Sequence, residues 1–145
     1  MPVASICQHT VDTVRAVEST LAAAQRTASR CVGTLVVVDV DDHAIGILTD
    51  RDLALRFVAP GLDPSTTSVA DVMSGEFKLC TENEAVDAAL VRMREYNVRR
   101  LPVVDESGHL CGIVSLEDVL MLLTREMADI GAFVQQTAPS WLATS

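Results

Sequence analysis

The strongest constraint on this chain is that it repeats itself. Moved along by 66 positions, residues 3–58 fall on 69–124 without a gap. Val3-Ala4 meets Val69-Ala70, Glu18 meets Glu84, Ala22-Ala23 meets Ala88-Ala89, Arg26 meets Arg92 and Val32 meets Val98. Further on, Leu35, Val37, Val38 and Asp39 meet Leu101, Val103, Val104 and Asp105, and His43, Gly46, Ile47 and Asp52 meet His109, Gly112, Ile113 and Asp118. So dense a match in one register limits the fold to two copies of one supersecondary unit. A unit of about 56 residues makes a marginal core by itself, so the copies have to bury what each leaves exposed. The division is a first repeat over 1–58, a linker over 59–68, a second repeat over 69–124 and a helical extension and tail over 125–145. The linker "APGLDPSTTS" is marked by its Pro, Gly, Ser and Thr content.

Each repeat reads as β-α-β-β-α. In the second, "EFKLCT" is a short strand and "TENE" offers Thr81 as a helix N-cap with Glu84 at the capping-box position. Val86, Ala89, Leu90 and Met93 then recur at helical spacing. "LPVVD" is a strand with Pro102 near its start, "ESGH" is a turn, and "LCGIVS" is the paired strand. The last helix carries Leu116, Val119, Leu120 and Leu123 on one face. Met127, Ile130 and Val134 continue the stripe, so the helix runs past the repeat. In the first repeat the continuous apolar run that opens "LVVVDV" predicts a strand buried on both faces. The fold class is therefore mixed α/β (α+β), with two pseudo-symmetric repeats packed through their sheets and clefts where they meet.

Composition excludes several classes. Hydrophobic residues are 49% of the 145, against wholesale disorder. The net charge of -9 argues against a general nucleic-acid binder. No apolar run reaches the roughly 18 residues of a membrane span, and "MPVASICQHT" lacks the basic and apolar regions of a signal peptide. The four cysteines, Cys7, Cys31, Cys80 and Cys111, form no C-x-x-C pair and read as reduced thiols of a cytoplasmic protein.

The chemistry-bearing feature is also duplicated. "GILTDRDL" and "GIVSLEDV" each run from a strand into Thr49-x-x-Asp52 or Ser115-x-x-Asp118. A hydroxyl followed by a first-turn carboxylate is a good helix cap, worth about 1 kcal/mol. The same pair at a cleft also suits a nucleotide: the carboxylate accepts from sugar hydroxyls, while helix N–H groups and a nearby Arg suit phosphate.

With "VADVMS", "VRRLPVVDESGHLCGIVSLEDVL" and its first-half counterpart on the page, the chain resembles a tandem pair of CBS domains, the cystathionine β-synthase-type domains whose pair is called a Bateman module. The resemblance covers roughly residues 3–124. It implies a non-catalytic regulatory module that binds AMP, ADP, ATP or S-adenosylmethionine in the clefts, with no obligatory cofactor. It also implies a homodimer that signals to an effector protein not identified by the sequence. Carried over residue by residue, Ser115 and Asp118 hold one ribose, and Thr49 and Asp52 the other. Val32 and Val98 pack on the base. Arg99 and Arg100 take phosphate, and are expected in the cleft of Ser115 and Asp118. Gly33 and Thr34 stand at the matching first-half positions without charge, so that Arg51 is left to substitute.

Two alternatives accompany this reading: a structural dimerisation module with vestigial sites, and a thiol-based sensor using Cys31. In the repeat register Cys7, Cys80 and Cys111 stand opposite Met73, Val14 and Ile45, as buried thiols do, while Cys31 stands opposite Asn97. His43 and His109 occupy equivalent turns and are taken as turn residues rather than metal ligands. No arrangement of nucleophile and base points to catalysis. Trp141 and Leu142 are apolar residues in a polar tail, available to dock on the module or a second subunit.

Overall fold

A computed structural model describes residues 1–140, so the expectation for Trp141 and Leu142 lies outside the described residues. The first repeat contains β1 (Thr13–Arg15), α1 (Thr20–Arg30), β2 (Thr34–Val38), β3 (Ala44–Thr49) and α2 (Asp50–Asp52), the last continued by a π-helical stretch over Leu53–Val58. A short α3 (Val69–Val72) leads into β4 (Cys80–Thr81), α4 (Val86–Tyr96), β5 (Arg100–Val104), β6 (Leu110–Ser115) and α5 (Leu116–Thr137). A 3₁₀ turn over Val3–Ser5 stands where α3 stands one repeat later. The two three-stranded sheets have the orders β1-β2-β3 and β4-β5-β6, each with one parallel and one antiparallel pairing. Even the irregularity repeats: the antiparallel register shifts between Val37 and Val38, and again between Val103 and Val104.

The central strands are buried along their length. Leu35 and Val37 pack against α1, while Leu101 and Val103 join Ala89 and Met93 of α4. Their neighbours Val36, Val38, Pro102 and Val104 point to the opposite face and are buried too. One face of each sheet thus lies under its own helices and the other under the opposite repeat.

The leading segments exchange places. Val3 and Cys7 belong to the second repeat's core, with Cys80, Ala89 and Val114, whereas Val69 and Val72 belong to the first repeat's core, with Val14, Ala23 and Leu48. Main-chain bonds fix both arms. Gln8 and Ile113 exchange N–H···O bonds at 2.8 and 2.9 Å, and Ile47 and Ser74 do so at 3.0 and 2.9 Å. This explains the repeated glycine before each Thr/Ser motif. A Cβ on Gly46 would lie 2.9 Å from Met73 Sδ and 3.0 Å from the Ser74 carbonyl. On Gly112 it would lie 2.9 Å from both Cys7 Sγ and the Gln8 carbonyl. The linker is tied down as well: the N–H groups of Thr20 and Leu21 donate to the carbonyls of Thr67 and Pro64.

Glu84 does not cap α4. That helix begins at Val86 behind Ala85, so "TENE" forms a turn in which the Glu84 N–H donates to the Thr81 carbonyl. The Glu84 side chain instead meets Arg92 at 2.6 Å, and Arg92 Nη1 also donates to the Leu79 carbonyl. The first repeat has the same device: Arg26 Nη2 donates to Glu18 at 2.6 Å and its Nη1 to the Thr13 carbonyl. Each Arg pins its helix to the chain entering the sheet. The strand expected over "EFKLCT" is confined to Cys80–Thr81, where pairing with β5 is available.

Two outcomes follow. Gly112→Ala should cost roughly 1–3 kcal/mol in urea unfolding, because the Gln8 carbonyl lies 2.9 Å from the added carbon, and Gly46→Ala should cost less, because there the nearest atom belongs to the flexible Met73 side chain; a Gly112→Ala variant as stable as the parent would contradict the close approach. Glu18 is held below its ordinary value of 4.5, first by the hydrogen bond from Arg26. Its contribution is therefore complete above pH 4.5 and fades as the pH falls through the depressed value. Glu18→Gln should cost about 1 kcal/mol at pH 7, a charge-assisted bond discounted for partial exposure. Denaturant midpoints measured down the acid range should show that gap closing.

Candidate ligand-binding site

Both Thr/Ser motifs are capping boxes. The Asp52 N–H donates to Thr49 Oγ1 at 3.1 Å, and the Thr49 N–H donates to Asp52 Oδ2 at 3.0 Å. In the second repeat the Asp118 N–H reaches Ser115 Oγ at 3.1 Å, while the Ser115 N–H and hydroxyl donate to Asp118 Oδ2 at 2.8 and 3.0 Å. The cap occupies one carboxylate oxygen and leaves the other facing outward. Asp118 Oδ1 accepts from the Gln8 amide at 3.0 Å, and Asp52 Oδ1 lies 3.8 Å from Arg56 Nε. Capping therefore uses one oxygen of each carboxylate and leaves the second outside the cap.

The larger cleft joins the two repeats. Its volume is about 500 Å³, within the range of small-molecule sites. Gly33, Thr34, Ile47, Thr49, Asp50 and Arg51 line it from the first repeat, and Asn97, Val98, Arg99 and Arg100 from the second. The arginine pair thus faces the first-repeat motif. It was expected beside Ser115 and Asp118, because Arg100 is their neighbour in its own hairpin and pairs with Ser115 across β5 and β6. Hairpin pairing concerns the backbone, however, and both arginines line the cleft shared with the first repeat. Arg99 is engaged by Glu117 at 2.6 Å, which holds that carboxyl below its ordinary range. Arg51 and Arg100 make no ion pair among the described residues.

A second cleft of about 340 Å³ surrounds Asp118, lined by Ser5, Ile6, Gln8, Met121, Leu122 and Arg125. Of the two valines expected to face a base, Val98 lines the larger cleft, whereas Val32 packs against the first core. Gln8 and Arg125 were not singled out from sequence. Gln8 stands opposite Ser74 in the repeat register, which is a positional signal but not a chemical one.

The thiols divide by burial. Burial is the largest cause raising Cys80 to about 12 and Cys111 to about 11, and it also raises Cys7. Cys31 is exposed, in the left-handed position that ends α1. Among the described residues no helix is long and apolar enough to cross a membrane.

Comparison with known proteins places this geometry. An uncharacterised protein of Methanopyrus kandleri is 32% identical over 120 residues, covering 83% of this chain and 61% of its own length. Hypoxic response protein 1 of Mycobacterium tuberculosis is 35% identical over 102 residues, covering 70% of this chain and 71% of its own. The crystal structure of Hypoxic Response Protein I with two coordinated zinc ions superposes with a TM-score of 0.76 at 32% identity, over 83% of this chain and 98% of that one. The CBS domain pair of protein MJ0100, in complex with 5-methylthioadenosine and S-adenosyl-L-methionine, gives 0.76 at 25% identity, over 87% and 98%. The chain spans less than two thirds of the Methanopyrus relative. The CBS domain model matches twice, over residues 3–59 and 69–125. With the duplicated fold and both capped motifs in place, the chain belongs to the CBS domain family, as a tandem pair.

Proposed function

We propose that this chain is a non-catalytic regulatory module that binds an adenosine-containing ligand between its repeats. The observation that carries the reading is the larger cleft, in which Thr49 and the start of α2 face Arg99 and Arg100 across the seam. Thr49 suits a ribose hydroxyl, with Asp52 behind it in the cap rather than on the cleft wall; Val98 offers an apolar wall for the base, and Arg51 and Arg100 suit phosphate. That the pair of MJ0100 is complexed with two adenosyl compounds supports the ligand class. The arginines favour AMP, ADP or ATP in this cleft. The smaller cleft, where Asp118 stands beside Gln8 and Arg125, suits a less anionic adenosyl compound such as S-adenosylmethionine. All four thiols are free, which fits a cytoplasmic setting. Burial raises the thiols of Cys7, Cys80 and Cys111, so the thiol-sensor alternative rests on the exposed Cys31 alone.

Calorimetric titration with AMP and with S-adenosylmethionine tests the assignment. A charge-assisted contact contributes about 1.5–3 kcal/mol, so Arg100→Ala should weaken AMP roughly 10- to 100-fold. Asp118→Asn keeps an acceptor for the cap but presents an amide where a sugar needs an oxygen, and should spare AMP in the larger cleft. An Arg100→Ala protein that binds AMP like the parent would refute the phosphate role. Loss of AMP equally from both variants would refute the separation of the clefts.

The module is also read as a homodimer. Leu120, Leu123, Met127, Ile130, Phe133 and Val134 of α5 are each at least half exposed, while Val119 on the inner side is 3% exposed. A stripe this long is costly to leave in water, and a second copy, or an effector protein, would cover it. Light scattering should give a dimer at tens of micromolar. Leu123→Glu with Ile130→Glu should yield a folded monomer; a parent that is already monomeric would reject the homodimer.

A further inference from the structure

The two hairpin turns meet at the pseudo-two-fold axis, outside both clefts. Each carries the spacing Asp-x-x-x-His, as Asp39 with His43 and Asp105 with His109. In each, Asp Oδ1 accepts main-chain N–H groups two and four residues on: Asp41 and His43 at 2.9 and 3.0 Å, Ser107 and His109 at 2.9 and 3.0 Å. The carboxylate is thereby fixed beside the imidazole, with Asp39 Oδ2 3.5 Å from His43 Nδ1 and Asp105 Oδ1 3.7 Å from His109 Nδ1. The two turns join through a backbone bridge between the histidines and a bond from the Leu110 N–H to the Asp42 carbonyl at 2.9 Å. The rings lie 4.8 Å apart between centroids, with planes 15° from parallel.

Turn geometry accounts for the aspartates but not for the imidazoles, which a turn does not need. Three features point to an ion. A carboxylate at Nδ1 is the arrangement that holds the proton there and turns the Nε2 lone pair outward as a metal ligand. The separation fits: with metal–nitrogen distances of about 2.0–2.1 Å and tetrahedral spreading, two rings on one ion have centroids roughly 5 Å apart. The charge fits as well, since Asp39, Asp41, Asp42, Asp105 and Glu106 stand in these turns without a Lys or Arg among residues 39–45 and 105–111. The side chains of His43 and His109 are 40% and 48% exposed, so an ion reaches them from solvent.

We propose that His43 and His109 together bind one borderline divalent cation of the zinc, cobalt or nickel class through Nε2, with Asp39 and Asp105 orienting the rings. Closing on the ion tilts the nearly parallel rings about their Cβ–Cγ bonds. Because one ligand comes from each repeat, the bound ion clamps the seam on which both clefts open.

Titration of the full chain with Co²⁺, followed by its visible absorption, and with Zn²⁺, followed by calorimetry, tests the site. One ion per chain is expected, with a rise in thermal midpoint. His43→Asn and His109→Asn should each weaken binding at least about tenfold and abolish that rise, and Asp39→Asn should weaken it about 10- to 100-fold, as loss of an outer carboxylate does. His9→Ala should change neither. Circular dichroism on each variant establishes that it is folded, and Asp105→Asn provides an independent variant if one is not. Binding that survives both histidine changes, or a parent that takes up no ion at 100-fold excess over protein (on the order of millimolar metal, where weak single-imidazole sites already fill), would overturn the proposal.

Discussion

The exchange of arms holds this structure together. Each repeat surrenders its first residues to the other, so neither core is complete without both copies: Val3 and Cys7 fill one, Val69 and Val72 the other. The arm lies so close to the strand it crosses that a side chain at Gly46 or Gly112 would press on it. This contact fixes how the sheets meet, and hence where the clefts open. It also removes the difficulty of a core of about 56 residues, because burial is pooled over the whole pair.

On this symmetric frame, function depends on where symmetry fails. The residues entering β2 are Gly33 and Thr34, while those entering β5 are Arg99 and Arg100. Had both copies kept arginines, the clefts would be equivalent; with one pair, positive charge collects where Thr49 stands. The terminal helices diverge as well. The first is a short α2 that relaxes into a π-helical stretch, and the second extends to Thr137 with an uncovered apolar face.

Much of this was legible in the sequence, for identifiable reasons. The duplication gave the register, and local chemistry gave the two helix caps at Thr49 and Ser115, since a cap is made by residues a few positions apart; that each is reciprocal came from the structure. What was not legible crosses the pseudo-two-fold axis. Alignment of one repeat on the other shows that Arg100 is the partner of Thr34, but not over which seam its side chain reaches. Val3 aligns with Val69 whether each arm packs on its own repeat or on the other. Glu84 failed differently: its spacing from Thr81 satisfied a capping box, but Arg92 two turns along the following helix competes for the carboxylate and holds it at 2.6 Å. An ion pair with a main-chain anchor beside it outweighs one neutral cap bond.

The double use of each motif aspartate gives the proposed ligand a route to the rest of the molecule. Asp118 Oδ2 holds the first turn of α5, and Oδ1 holds Gln8 of the exchanged arm. A sugar hydroxyl that took Oδ1 would displace the Gln8 amide while leaving the cap intact, so the ligand would compete with the arm rather than with the helix. The arm is anchored a residue away by the Gln8–Ile113 main-chain bonds and by Cys7 against Gly112. The contact that such a ligand would disturb is therefore the one that joins the repeats, and the element it would leave rigid is the helix with the exposed apolar face. If the proposed ligand binds there, a change at the cleft would be transmitted as a shift of one repeat against the other, with α5 carried as a unit and no unfolding of the helix end.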